Sequence, residues 1–186
     1  MENEKWKSDI LNWTLISKET ASLIINQSES LLKETIDTSK TITAKSEKLL
    51  SFQVPGGLAT IVYFFNNYKV GDSFLLLTSI LCFIVIFVSL CFSFKTFRKH
   101  IIYVTGEYPK NIATSKYIDC HLDEHQQYIN LVLSICENTQ NRIDANRLLS
   151  EKRSKSNEAA LIVLVTVVLC PIAAQLILWL FPAMHF

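Results

Sequence analysis

The sequence predicts an all-α membrane protein, with three transmembrane helices, long cytoplasmic helical arms and an oligomeric assembly. Three observations predict it. Residues 49–68, 74–94 and 159–186 each run 20 residues or more without Asp, Glu, Lys or Arg, long enough to cross a hydrocarbon core of about 30 Å. Charge is segregated into the remainder, with 15 charged residues in 1–48 and 17 in 95–156; a soluble domain would spread its apolar residues at helix or strand period. Gly and Pro are absent from residues 1–54 and again from 110–170, which favours long uninterrupted helices.

The boundaries that follow are a cytoplasmic N-terminal helical arm over 1–48, a transmembrane hairpin over 49–95, a cytoplasmic helical region over 96–156, and a third transmembrane helix with a short outside tail over 157–186. Basic residues set the orientation. Seven lie in the N-terminal arm and ten between Lys95 and Lys155, against Lys69 alone in the hairpin turn and none after Phe181. The positive-inside rule then puts both arms and the N-terminus in the cytoplasm and the C-terminus outside. The charged start, with no apolar segment in the first 30 residues, predicts no cleavable signal.

The first arm reads as one or two helices. Trp6, Ile10, Leu11, Trp13, Leu15, Ile16, Leu23, Ile24 and Ile25 give its distal half apolar residues on more than one face, so that half calls for a partner helix. The proximal half thins to a stripe of Leu31, Thr35, Ile42 and Leu49. Span 1 contains Pro55-Gly56-Gly57, consistent with a kinked crossing or with a re-entrant segment lined by protein or water. The central arm opens with a turn at Gly106-Glu107-Tyr108-Pro109. Beyond it, Ile118, Leu122, Ile129, Val132, Cys136 and Ile143 recur at helical spacing. One continuous helix over 110–156 would be about 70 Å long, and the residues linking it to span 2 reach only about 50 Å. A break is therefore expected near Glu137-Asn138-Thr139-Gln140-Asn141.

Span 2 carries Thr78, Cys82, Val85, Ser89 and Ser93 at intervals of four, three, four and four, one polar or small stripe extended by Thr96, on a helix whose opposite faces are Leu, Ile and Phe. Such a stripe permits close helix packing in lipid, and it can also line a water-filled pore formed by several copies. Thr166, Cys170, Ala173, Ala174 and Gln175 form a shorter counterpart in span 3, where Pro171 can kink the helix. Lys95, Arg98, Lys99, Lys152, Arg153 and Lys155 form a collar for anionic lipid headgroups, worth about 1 kcal/mol per basic residue. Arg142 and Arg147 lie further from the spans and are candidates for a soluble anionic ligand.

Enzymatic chemistry has little to stand on. There is no Gly-rich phosphate loop and no nucleophile elbow in a chain with four glycines. His121-Leu122-Asp123-Glu124-His125 matches a zinc-protease string, but five residues are a short match and no downstream acidic ligand completes it. His121 and His125 are therefore weak metal candidates, and the expectation is no metal, no cofactor and no catalytic residue. The five cysteines form no CxxC pair, which suits reduced thiols. Interspersed charges and a net charge of +1 give no stable nucleic-acid binding surface.

In layout, a long N-terminal helix ending at Lys48, an apolar hairpin over 49–94 and a helix over 138–158 entering another apolar segment, the chain resembles the small membrane effectors of bacterial anti-phage systems, including those with SLATT-type domains. The extra C-terminal span departs from the two-span pattern. The resemblance implies a location in the bacterial inner membrane, homo-oligomerisation, contact with membrane lipid, and pore formation or membrane disruption released by a nucleotide or protein activator. Two other functions fit the same residues: a membrane scaffold or anchoring adaptor that docks a soluble partner around Trp6, Trp13, Leu15 and Ile24, or an immunity protein against a membrane-active toxin.

Overall fold

The computed structural model describes residues 15–70, 73–97, 101–107, 109–118 and 121–180, and within them every regular element is helical. Three long helices, α1 (Lys18–Val70), α2 (Ser73–Phe97) and α5 (Glu124–Leu180), are joined by a segment carrying two single-turn helices, α3 (Pro109–Ile112) and α4 (Ser115–Ile118). Trp6, Ile10, Leu11, Trp13, Arg98, Lys99, His100, Cys120 and the tail after Leu180 lie outside the described residues.

Both long arms begin at a side-chain cap. The Thr20 amide donates to Ser17 Oγ at 3.1 Å, with Glu19 in the first turn of α1. The Gln126 amide donates to Asp123 Oδ1 at 2.8 Å, with Glu124 in the first turn of α5. Each cap satisfies an amide that the first helical turn leaves open, worth about 1 kcal/mol, and each acidic residue suits the positive end of the helix dipole.

The interruption that Pro55-Gly56-Gly57 suggested is not present in α1, which is helical through it. The break near 137–141 is also absent, because α5 is helical from Glu124 onward. α5 starts 14 residues later than the sequence suggested, since α3 and α4 are single turns. The Asn- and Thr-rich stretch stays helical because Thr139 is buried and Gln140 donates to Asp144 Oδ1 at 2.9 Å. Burial of that kind overrides weak helix propensity.

The chain divides into two compact units. Unit 1 comprises Met1–Lys40 and His100–Ser150. In it α1 and α5 run in the same direction, with Lys18 paired to Glu124 at 3.2 Å and Thr35 bonded to Asn146 at 3.1 Å. On α5 the buried positions are Ile129, Val132, Cys136, Thr139, Ile143, Asn146 and Ser150. Steps of three and four alternate without exception, the heptad signature of helices that wrap each other. Ala21, Leu32, Thr35 and Ser39 answer from α1. Ala21, Ile129, Val132 and Cys136 form an apolar cluster with Ile16, Ile25, Tyr128 and Leu133 against it. Leu32, Ile129 and Ile143 are at most 1% exposed, each burial contributing about 1.5–3 kcal/mol.

Unit 2 comprises Thr41–Lys99 and Glu151–Phe186 and packs α1, α2 and α5 together. Its interior is mostly polar or small: Ser46, Gln53, Ser79, Ser89, Ser93, Thr96, Arg153, Asn157 and Ala160 are all buried. Its exterior is the reverse. Phe52, Leu58, Val62, Phe65, Leu77 and Phe87 are each more than half exposed. Two helices here, within Lys18–Asn66 and Leu76–Phe97, are long and apolar enough to cross a membrane, and only 11% and 22% of their most apolar windows are buried. A helix at the centre of a soluble protein would be mostly buried instead.

Candidate functional site

The most concentrated polar chemistry lies inside unit 2, at one level of the three helices. Asn157 on α5 is its hub. Its Oδ1 accepts from Ser46 Oγ at 2.7 Å and from Thr96 Oγ1 at 3.1 Å, while its Nδ2 donates to the Ile42 carbonyl at 3.2 Å. One amide thus ties α1, α2 and α5 together. A turn earlier on α5, Arg153 is 6% exposed and turns inward, donating from Nε to the Thr96 carbonyl at 3.1 Å and from Nη2 to Thr43 Oγ1 at 2.6 Å. Burial holds its guanidinium below the usual arginine range, because a desolvated charge is penalised.

Further along, Gln53 Nε2 donates to Ser89 Oγ at 2.6 Å, and Ser89 Oγ donates to the Ala160 carbonyl at 2.7 Å. This second three-helix tie works because α5 presents Ala160, fully buried, where a larger side chain would hold the helices apart. Gln53 Oε1 and Ser93 Oγ, both in fully buried side chains, find no hydrogen-bond partner among the described residues. Buried polar atoms without partners are rare enough in folded proteins to need a reason.

The stripe expected on span 2 is therefore brought into this interior. Ser89 and Ser93 are 0% exposed, and Thr78, Cys82 and Val85 are half-buried. Within one chain the Ser89 hydroxyl is committed to neighbouring helices. The stripe as read from the sequence lacked Ser79 and Ile86: the inward positions of α2 are Ser79, Ile86, Ser89, Ser93 and Thr96, again in heptad register once half-buried Cys82 is included.

The basic collar separates. Lys95, Lys152 and Lys155 are exposed, and Lys155 reaches Glu151 one turn back at 2.6 Å, which lowers the Glu151 carboxyl below its ordinary range. Arg153 does not belong with them. It occupies the seam position between Ser150 and Asn157, so its charge faces the other helices and not the headgroups.

In unit 1 the two expected anion ligands also part company. Arg142 donates to the Gly106 carbonyl at 2.6 Å and to the Glu107 carboxylate. The pair is largely buried, with side chains 20% and 8% exposed. Arg142 thus fastens its own chain, and its guanidinium is engaged where a free ligand would need it. Arg147 is exposed. Next to Arg142, Asn146 makes a two-point clasp on Tyr103, accepting from its amide at 3.0 Å and donating to its carbonyl at 2.9 Å. Together they strap residues 103–107 along α5, and Gly106 makes the turn with φ of 87°, a conformation that costs glycine little.

His121 sits in a bend ahead of α5 and His125 inside its first turns, with the cap residue Asp123 between them. They do not share a helix face, which removes the geometric basis of the zinc string. No cluster of three or more His, Cys, Asp or Glu suited to a metal is found among the described residues. Cys136 is buried beside Ser28, and burial pushes its thiol above the ordinary value.

The signal that would have found Arg153, Asn157 and Asn146 was present as spacing. Counting Thr, Ser, Asn and Arg at positions 139, 146, 150, 153 and 157 together with the apolar residues completes an unbroken heptad from Ile129 to Ala160. No protein-family model matches this chain, and neither a curated protein nor a solved structure matches it.

Proposed function

We propose that this chain is a homo-oligomeric effector of the bacterial inner membrane that permeabilises the bilayer and is gated through its cytoplasmic helices. The observation that carries the reading is the inside-out composition of unit 2. Phe, Leu, Ile and Val face outward, while Ser, Thr, Gln, Asn and Arg face inward. An exterior of that kind is costly in water and favourable in lipid. An interior of hydroxyl and amide groups suits helices that must approach closely, separate and rehydrate. α1 and α5 each run from a charged segment into an apolar one without a helix break. The orientation puts the N-terminus in the cytoplasm and the C-terminus, after a third crossing by the end of α5, outside. A nucleotide or a protein acting on the arms is the activator.

A second reading is a membrane scaffold. It is favoured by Leu15 and Leu23 in unit 1, which are 80% and 59% exposed and available to a soluble partner.

Expression in bacteria loaded with a membrane-potential dye tests the first reading, beside purification in detergent to measure particle mass. Depolarisation together with a particle of several chains is the expected result. A monomer that leaves the potential intact, even with its neighbouring genes expressed and activated, refutes it and leaves the scaffold.

A further inference from the structure

We propose that Ile86 is a hydrophobic gate dividing the polar seam of unit 2, with bound water on its Thr96 side. The inference deepens the pore reading above and rests on it for its physiological meaning. Among the described residues of α2, Ile86 is the one buried apolar side chain, at 5% exposure, in a row otherwise made of Ser79, Ser89, Ser93 and Thr96. It meets α1 where α1 has no side chain. A Cβ on Gly57 would lie 3.5 Å from Ile86 Cγ2, and one on Gly56 would lie 3.9 Å from Ile86 Cδ1. Both are ordinary van der Waals distances, so Ile86 packs directly over the glycine pair.

The two sides of this plug differ. Toward Thr96 lie Gln53 and Ser93, whose Oε1 and Oγ are buried without a partner among the described residues. A buried water normally makes two to four hydrogen bonds to such groups, and atoms left dry would bear their full desolvation cost. These orphaned atoms point to water as the ligand. On the other side lies an apolar cleft of about 310 Å³ between α1 and α2, where Thr60 and Ser79 sit among Ile61, Phe64, Ile80 and Phe83. Both hydroxyls there are spent on their own helices, at 2.8 Å to the Gly57 and Leu76 carbonyls. The seam is therefore wettable on one side of Ile86, and an apolar constriction excludes water by dewetting. Isoleucine suits the task because its β-branch leaves one strongly preferred rotamer in a helix. The gate then yields when α1 and α2 separate, and not by a side-chain flip.

The test uses the purified full chain in liposomes and reads two quantities. One is proton leak; the other is reaction of a Ser93→Cys thiol, in a chain whose native cysteines are serine, with a charged, membrane-impermeant methanethiosulfonate supplied from the Ser79 side of Ile86. Ile86→Thr nearly keeps the shape and adds a hydroxyl, Ile86→Ala opens space, and Ile86→Val keeps the plug. Phe87→Thr, on the exposed neighbour, controls for general loosening. The expected result is leak and labelling both raised about tenfold or more by Ile86→Thr, and by Ile86→Ala should the first variant lose helicity. Ile86→Val and Phe87→Thr leave both unchanged. Equal values for Ile86→Thr, Ile86→Ala and Phe87→Thr overturn the gate. Failure of the unmodified protein to depolarise cells removes the pore reading and leaves the labelling contrast standing, so the two failures are distinguishable.

Discussion

Replacing Asn157 by Ala removes a side chain that joins all three helices of unit 2 at a single level. Three hydrogen bonds disappear, from Ser46 Oγ, from Thr96 Oγ1 and to the Ile42 carbonyl. Polar contacts between helices in a membrane average about 0.6 kcal/mol each, which sets a floor of about 2 kcal/mol. Ser46 keeps an alternative, since its hydroxyl also lies 3.0 Å from the Ile42 carbonyl. Thr96 Oγ1 loses its interhelical acceptor in a site 1% exposed, and an unsatisfied buried hydroxyl adds about 1–3 kcal/mol. The expected loss is thus about 3–5 kcal/mol, against about zero for Glu158→Ala on the exposed neighbour. The assay is unfolding of the purified protein in mixed micelles, followed by far-ultraviolet circular dichroism. Ser46→Ala and the double variant complete a cycle whose coupling should fall near 1 kcal/mol, within the range for residues in contact. A midpoint for Asn157→Ala equal to that of Glu158→Ala would refute the hub.

Two further outcomes follow from unit 1. Asn146→Ala removes the clasp on Tyr103 and Arg142→Ala removes the hold on Gly106 and Glu107; either should raise chymotryptic cleavage at Tyr103 several-fold, and the pair should raise it further, while Arg147→Ala leaves it unchanged. Cys136, whose thiol burial pushes above 9.0, should alkylate far more slowly at pH 8 than a thiol in the unfolded chain. Its neutral form is the one the fold favours, so this contribution to stability is full below 9.0 and is lost as pH rises through the higher folded value; a stability profile that rises over that window would contradict the assignment.

The helices and the membrane-type surface were legible because they rest on long-range composition. An apolar run without charge reads the same from any face. The seam was harder, and the reason is visible in particular residues. Ile129, Val132, Cys136 and Ile143 stand out in an apolar count, but Thr139, Asn146, Ser150, Arg153 and Asn157 share their face and carry the polar labels that such a count assigns to solvent. Arg153 was grouped with Lys152 and Lys155 by sequence proximity, yet on a helix adjacent residues face about 100° apart. The expected break at 137–141 had the same origin, for turn-forming residues lose that preference when their side chains find partners along the helix.

By itself, then, the sequence determined that this chain is helical, where its charge lies, and that three stretches run 20 residues or more without charge, two of which meet the length and apolarity of a membrane span among the described residues. Tertiary structure decided what faces inward. Ser46 meets Asn157, and Thr35 meets Asn146, each across 111 residues of sequence. Only parallel packing of α1 and α5 in each unit creates those pairs. A hydroxyl or amide gains its role from the partner opposite it, and nothing in its own local sequence names that partner.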